Sequence, residues 1–131
     1  MLKKFEFSKS ESVDYLEGIE DHGRFFIVYL KGDMHTPTIE KNDDKMTAII
    51  EKVDLYRKCI LCDFSKVEST DTATAAVLIK RLSDFRGRGG KKLIFYNIPE
   101  NLKHIIKIAK LQELFHISET REQAIQELTQ C

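Results

Sequence analysis

Hydroxyl and carboxylate side chains are concentrated where an apolar strand of this chain leads into a helix. Ser69, Thr70, Asp71 and Thr72 are all residue types that cap a helix start well, and one cap is enough. A helix start has free N–H groups and a partial positive charge, so it accommodates an anion. The four residues therefore permit two interpretations, redundant capping of the helix or a switch operated by a phosphate group.

The other reactive residue types form no catalytic or metal-binding pattern. Cys59 and Cys62 have the spacing of a thioredoxin motif, but they fall inside a predicted strand, where residues three apart point to opposite faces. We interpret both as core cysteines, and we expect Cys131 to be exposed and without functional significance. Metal-ligand spacing is absent from the four histidines, which are His22, His35, His104 and His116. No catalytic residue, metal or cofactor is predicted.

Two further features resemble a phosphate-binding loop and a phosphoacceptor site, but neither fits. The glycine-rich stretch at 87–90 follows a helix and precedes a strand, the reverse of a phosphate-binding loop, so it indicates a helix stop. Asp63 ends a buried strand, as the phosphoacceptor of a two-component receiver domain does. The acidic pair and the Lys-Pro of a receiver are missing. The chain therefore shows no ATP site of its own, and its phosphorylation would require another protein.

The hydrophobic pattern predicts one α/β domain over residues 1–131. We expect a mixed, mostly parallel sheet with an antiparallel N-terminal part, covered by about four helices. Strands are predicted over residues 2–7, 13–19, 24–31, 59–64 and 92–96, with a brief apolar segment at 114–117. Four helices are predicted. The first has a buried face over residues 46–53 and the second runs from 72 to 86. The third begins near Pro99, and the fourth begins at a capping box formed by Thr120 and Gln123.

Composition excludes several classes of function. The chain of 131 residues has 21 basic and 21 acidic side chains, so no global positive field attracts nucleic acid or an acidic membrane. No apolar run approaches the roughly 18 residues that span a bilayer, and the polar N-terminus does not resemble a signal peptide. Three cysteines, an odd number, favour a reducing compartment. We expect a cytoplasmic protein.

One segment resembles a known family. Residues 60–78, Ile-Leu-Cys-Asp-Phe-Ser-Lys-Val-Glu-Ser-Thr-Asp-Thr-Ala-Thr-Ala-Ala-Val-Leu, resemble the central block of the STAS domain, named for sulphate transporters and anti-sigma factor antagonists. That block is an apolar strand ending Asp-Leu-Ser, then an Asp-Ser-(Ser/Thr)-Gly motif and an apolar helix. The resemblance covers residues 24–128 and includes the strand at 89–97, the Leu-x-x-Leu-Phe segment at 111–118 and the last helix at 123–128.

The resemblance implies a regulatory function. In anti-sigma factor antagonists, a partner kinase phosphorylates the hydroxyl that Thr72 matches, with Ser69 as the alternative here. The implied partners are an anti-sigma factor or related serine/threonine kinase and a PP2C-type phosphatase. The implied partner-binding residues are Asp33, His35, Thr36, Asp71, Thr72 and Thr74. The identity of the partner and the oligomeric state stay open.

Two motifs in this region depart from the family pattern. In the first motif, Thr74 stands where the family usually has glycine, and Ala73 stands where a second Ser or Thr is common. His35 replaces the aspartate of the family's Gly-Glu-Leu-Asp turn. These departures favour a second interpretation, a STAS scaffold or sensor subunit that binds partners without phosphorylation. A transporter-attached STAS domain and an enzyme or small-molecule binder of similar topology are further alternatives.

Overall fold

A six-stranded sheet forms the centre of the protein in the computed structural model, which describes residues 2–131. Its strands lie side by side in chain order, so each neighbour in sequence is also a neighbour in space. The first three pair antiparallel and the last four pair parallel, which confirms the predicted mixed sheet. The strands are β1 (Lys3–Phe5), β2 (Leu16–Asp21), β3 (Phe25–Met34), β4 (Cys59–Thr70), β5 (Leu93–Tyr96) and β6 (Phe115–Ser118).

Five α-helices connect or follow the strands, one more than the four expected. They are α1 (Thr36–Lys41), α2 (Asp43–Val53), α3 (Thr72–Gly87), α4 (Glu100–Ile108) and α5 (Arg121–Leu128). The extra helix is α1, which Asn42 separates from α2. Asn42 has non-helical backbone angles, and its buried side chain donates to the Thr38 carbonyl at 2.7 Å. That bond holds the break in place.

Strand β4 is longer than its apolar pattern indicated. We interpreted residues 65–70 as a polar loop, but the strand continues to Thr70, because its outer half pairs with an equally extended β3. The register shifts twice along this extension and then aligns Asp33 with Ser69 and Met34 with Thr70. Most side chains of the outer half are exposed, so the strand has no hydrophobic pattern there. Strand β2 also begins later than predicted, at Leu16.

The sheet separates two apolar layers. Helices α1 to α4 cover one face, where Phe26, Ile60 and Phe95 are buried, and α5 covers the other face over Ile27 and Leu61. This alternation along each strand is what the strand period of two requires. None of the helices formed by residues 2–131 is long and apolar enough to cross a membrane.

The cysteines require one correction. Cys59 and Cys62 lie on opposite faces of β4 and are both buried, as predicted. Cys131, which we regarded as uninformative, is exposed but is joined to Cys59 by a disulfide that spans 72 residues. Helix α5 packs its buried Ala124 and Leu128 over this end of the sheet, and the chain after α5 is thereby brought to Cys59.

Candidate functional site

The start of α3 is organised by Asp71. This residue has an extended backbone, with φ −111°, and its carboxylate accepts a 2.7 Å hydrogen bond from the Thr74 backbone N–H. Asp71 is therefore the residue that caps the helix, which leaves the neighbouring hydroxyls free for other contacts. Thr72 is the first helical residue and its side chain is exposed.

The end of β3 and the start of α1 lie directly beside this helix start, because β3 and β4 are parallel neighbours. Three side-chain contacts join the two segments. Ser69 donates its hydroxyl proton to Asp33 at 2.7 Å, His35 Nδ1 lies 3.3 Å from Asp71 Oδ2, and the hydroxyls of Thr36 and Thr74 are 3.2 Å apart. We call the region formed by these residues and Thr72 the α1–α3 surface.

The six residues implied as partner-binding, together with Ser69, are thus gathered in one place, but they are not equally accessible. Thr74 is 0% exposed and bonds Thr36, so it supports the surface from below and offers a partner no direct contact. Asp33, Asp71 and Thr72 are exposed, while His35 and Thr36 are half-buried. Within residues 2–131 the Thr72 hydroxyl has no hydrogen-bond partner.

The α1–α3 surface carries negative charge. The Thr74 backbone N–H lowers the pKa of the Asp71 carboxyl below its ordinary value, and the Thr74 side chain and His35 lower that pKa further. Hydrogen bonds to the ionised form of a carboxyl stabilise it, so Asp71 is a carboxylate at neutral pH. A phosphate on Thr72 would add about two more negative charges next to it.

Asn101 belongs to the site and was not identified from the sequence. It lies in the first turn of α4, and its side-chain amide donates to the Thr70 carbonyl at 3.0 Å. This bond ties α4 to the residue just before the Asp71 cap. A polar residue near a helix start is common, so nothing in the sequence distinguishes Asn101 from an ordinary surface asparagine.

Asp63 is part of a separate polar cluster on the α5 face. Its carboxylate is buried, lies 3.3 Å from Arg121 and accepts from the Ser65 backbone N–H at 2.8 Å. Arg121 also donates to the Tyr29 hydroxyl, which donates to Glu20 at 2.8 Å. An aspartate held in this way is an ion-pair partner of α5, unlike the accessible phosphoacceptor of a receiver domain. No group of side chains among residues 2–131 has an arrangement that could hold a metal ion.

Comparison with known proteins places this geometry in context. A model of the STAS domain matches residues 18–124 of the chain. The Bacillus cell fate determinant SpoIIAA in its phosphorylated form superposes with a TM-score of 0.60 at 17% identity, covering 86% of this chain and 97% of SpoIIAA. A putative anti-sigma factor antagonist from Thermotoga maritima gives a TM-score of 0.61 at 17% identity, with 85% and 92% covered.

An anti-sigma factor antagonist from Mycobacterium paratuberculosis is similar as well. It gives a TM-score of 0.58 at 14% identity, covering 98% of this chain and 95% of the antagonist. At these identities the likeness is one of fold. The likeness extends over 85–98% of this chain in these three structures.

Proposed function

This chain belongs to the STAS domain family, and from that premise we propose that it is a regulatory protein-binding domain that acts as an anti-sigma factor antagonist does. Its partner is an anti-sigma factor or a related serine/threonine kinase, which docks on the α1–α3 surface. The similar solved structures include antagonists, and one of them is a phosphorylated form. The domain acts by binding and carries out no reaction itself.

The observation that carries this proposal is the state of the Thr72 side chain. Its hydroxyl is exposed at the first position of α3, where the free N–H groups of a helix start favour an added phosphate. Ser69, the alternative site, already donates its hydroxyl proton to Asp33 at 2.7 Å. A phosphate on Ser69 would break that bond, whereas the Thr72 hydroxyl has no such bond to lose, so Thr72 is the favoured acceptor.

Phosphorylation at Thr72 would change binding and leave the fold intact. The helix dipole favours the phosphate by about 0.3–1 kcal/mol, while the neighbouring Asp71 carboxylate repels it. Because the two effects oppose each other at an exposed position, the domain stays folded. A partner that fits the unmodified surface would meet an uncompensated dianion, and such a mismatch costs several kcal/mol, a loss of roughly a hundredfold or more in affinity. A PP2C-type phosphatase would reverse the switch.

The experiment has two arms. The first incubates the protein with ATP and the serine/threonine kinase encoded nearest to its gene, and then measures intact mass. We expect the addition of one phosphate, which Thr72→Ala abolishes and Ser69→Ala does not. Loss of the phosphate in Ser69→Ala alone would move the site to Ser69.

The second arm compares Thr72→Glu with Gln123→Glu, which adds the same charge near the start of α5, outside the α1–α3 surface. Thr72→Glu should weaken binding of that kinase by about a hundredfold with little change in melting temperature. Gln123→Glu should bind like the wild type. Equal affinities for the two variants would contradict the proposal, and so would unfolding of Thr72→Glu.

A phosphorylation-independent scaffold or sensor subunit is the second candidate function. It is favoured by the two departures from the family pattern, because Thr74 and His35 both engage in contacts within the α1–α3 surface. A kinase that requires the family's glycine would meet a different local shape here. A scaffold or sensor subunit should bind its partner without any mass increase, so the intact-mass measurement of the first arm separates the two candidate functions.

A further inference from the structure

The disulfide between Cys59 and Cys131 joins a buried residue to an exposed one. Cys59 is the first residue of β4 and packs with the buried side of α5, whereas Cys131 follows α5 and is exposed. Exposed disulfides exchange readily with thiols in solution, whereas enclosed structural ones resist reduction. A thiol or a disulfide in solution can therefore reach this bond through Cys131.

The chain after α5 holds Cys131 near Cys59 by contacts other than the disulfide. The Cys131 backbone N–H donates to the Leu128 carbonyl at 3.1 Å, and the Arg24 guanidinium donates to the Thr129 carbonyl at 3.5 Å. The Cα atoms of the two cysteines are 6.3 Å apart, within the usual range of about 4.4–6.8 Å for a disulfide. Two reduced thiols would therefore stay in position to form the bond again.

The third cysteine, Cys62, is the contrast within the chain. It is buried on the opposite face of β4, in the apolar layer that α1 to α4 cover. Burial, with a smaller contribution from the Asp63 carboxylate, raises the pKa of its thiol to about 12. The thiolate is the reactive form of cysteine, so Cys62 is a poor nucleophile at neutral pH. Of the three cysteines, Cys131 alone is exposed to an oxidant.

We propose that Cys131 is a site of reversible oxidation by a small disulfide such as oxidised glutathione, that Cys59 resolves the adduct, and that the closed bond holds α5 on the sheet. The Cys131 thiolate attacks one sulfur of oxidised glutathione, forms a mixed disulfide and releases one glutathione thiolate. The Cys59 thiolate then attacks Cys131 Sγ and releases the second glutathione thiolate. The protein loses two electrons and two protons, which convert oxidised glutathione into two molecules of reduced glutathione. Both cysteines lie outside the α1–α3 surface, so this site is distinct from the one proposed for partner binding.

Helix α5 is the element that the bond controls. It has eight residues, and helices shorter than about 12–15 residues are marginal on their own, so α5 depends on packing through its buried Ala124 and Leu128. When α5 opens in the oxidised protein, the segment between β6 and Cys131 stays attached to the sheet at both ends. Closure of a loop of roughly 15 residues should lower the open population roughly a hundredfold.

Intact-mass measurement of the reduced full chain after incubation with oxidised glutathione tests the chemistry. The wild type and Cys62→Ala should each lose two hydrogen atoms. Cys59→Ala should retain one glutathione as a mixed disulfide, because the resolving thiol is missing, and Cys131→Ser should take up none. A glutathione adduct on Cys131→Ser, no adduct on Cys59→Ala, or a wild type that stays reduced would overturn the assignment.

Hydrogen exchange of the oxidised and reduced protein, measured by mass spectrometry, tests the effect on α5. The α5 amides should exchange roughly a hundredfold more slowly in the oxidised wild type than in the reduced wild type. In the reduced protein they should also exchange faster than the α3 amides, because α5 opens while the sheet stays intact. Cys131→Ser should show one α5 rate with and without reductant. Equal α5 rates in the oxidised and reduced wild type would refute the proposed hold on α5.

Discussion

Replacing Thr74 with the glycine that the STAS family usually has at this position should destabilise this protein. The Thr74 side chain is 0% exposed and its hydroxyl bonds Thr36 at 3.2 Å, so this chain uses the threonine as a structural residue. Thr74→Gly removes a buried methyl group and a hydrogen bond in the first turn of α3. It also increases the backbone freedom of this position, because glycine has no side chain.

The magnitude follows from these three losses. Burial of one methyl group contributes about 0.8 kcal/mol, the hydrogen bond about 0.5–1.5 kcal/mol, and glycine in a helix costs about 0.3 kcal/mol more than threonine. Together they give about 2 kcal/mol of unfolding free energy. For a domain of this size that corresponds to a fall of roughly 8 °C in melting temperature.

Urea denaturation and thermal melting of a small series would measure it. Thr74→Ser keeps the hydroxyl and loses the methyl group, and Thr74→Val keeps the shape and loses the hydrogen bond. Each should lower the unfolding free energy by about half as much as Thr74→Gly does. A double-mutant cycle of Thr74→Val with Thr36→Val isolates the bond between the two hydroxyls. A Thr74→Gly protein as stable as the wild type would refute the structural role of this threonine.

Two further predictions concern other parts of the fold. The unfolding free energy of the oxidised wild-type protein should exceed that of Cys131→Ser by up to about 4 kcal/mol, because the Cys59–Cys131 disulfide restricts a long loop of the unfolded chain. In a reductant the two proteins should have equal urea midpoints. Equal midpoints without reductant would contradict the prediction. Hydrogen bonds from Arg81 lower the pKa of Asp43 in the folded protein, so the stability from this pair is present above the ordinary aspartate pKa and is lost as pH falls below it. Asp43→Asn should therefore have a shallower loss of stability on acidification than the wild type, measured by urea midpoints down to pH about 3, and parallel profiles would contradict it.

Much of the sheet could be predicted from the sequence, because buried parallel strands have continuous apolar runs such as residues 59–64. The outer half of β4 could not be predicted, since its backbone pairs with β3 while its side chains are exposed. The disulfide between Cys59 and Cys131 also could not be predicted, because it depends on how α5 packs on the sheet. Helix α1 is only six residues long and has no hydrophobic repeat of its own.

Part of the candidate site could likewise be predicted from the sequence, and part could not. Capping preferences alone placed a cap among Ser69, Thr70, Asp71 and Thr72, and the family resemblance selected Asp71 and Thr72. The contacts that join this helix start to Asp33, His35 and Thr36 depend on the register of two parallel strands, which residue types do not reveal. Asn101 was missed because it reaches the site from α4, about 30 residues along the chain.

The two departures from the family pattern are physically one feature. His35 and Thr36 are consecutive residues at the start of α1, and they contact Asp71 and Thr74, the cap and the third helical residue of α3. With aspartate at position 35, two carboxylates would face each other across this contact, and with glycine at position 74 the Thr36 hydroxyl would lose its partner. Each departure is therefore suited to a neighbour present in this chain. Restoring only one family residue should therefore weaken the link between α1 and α3.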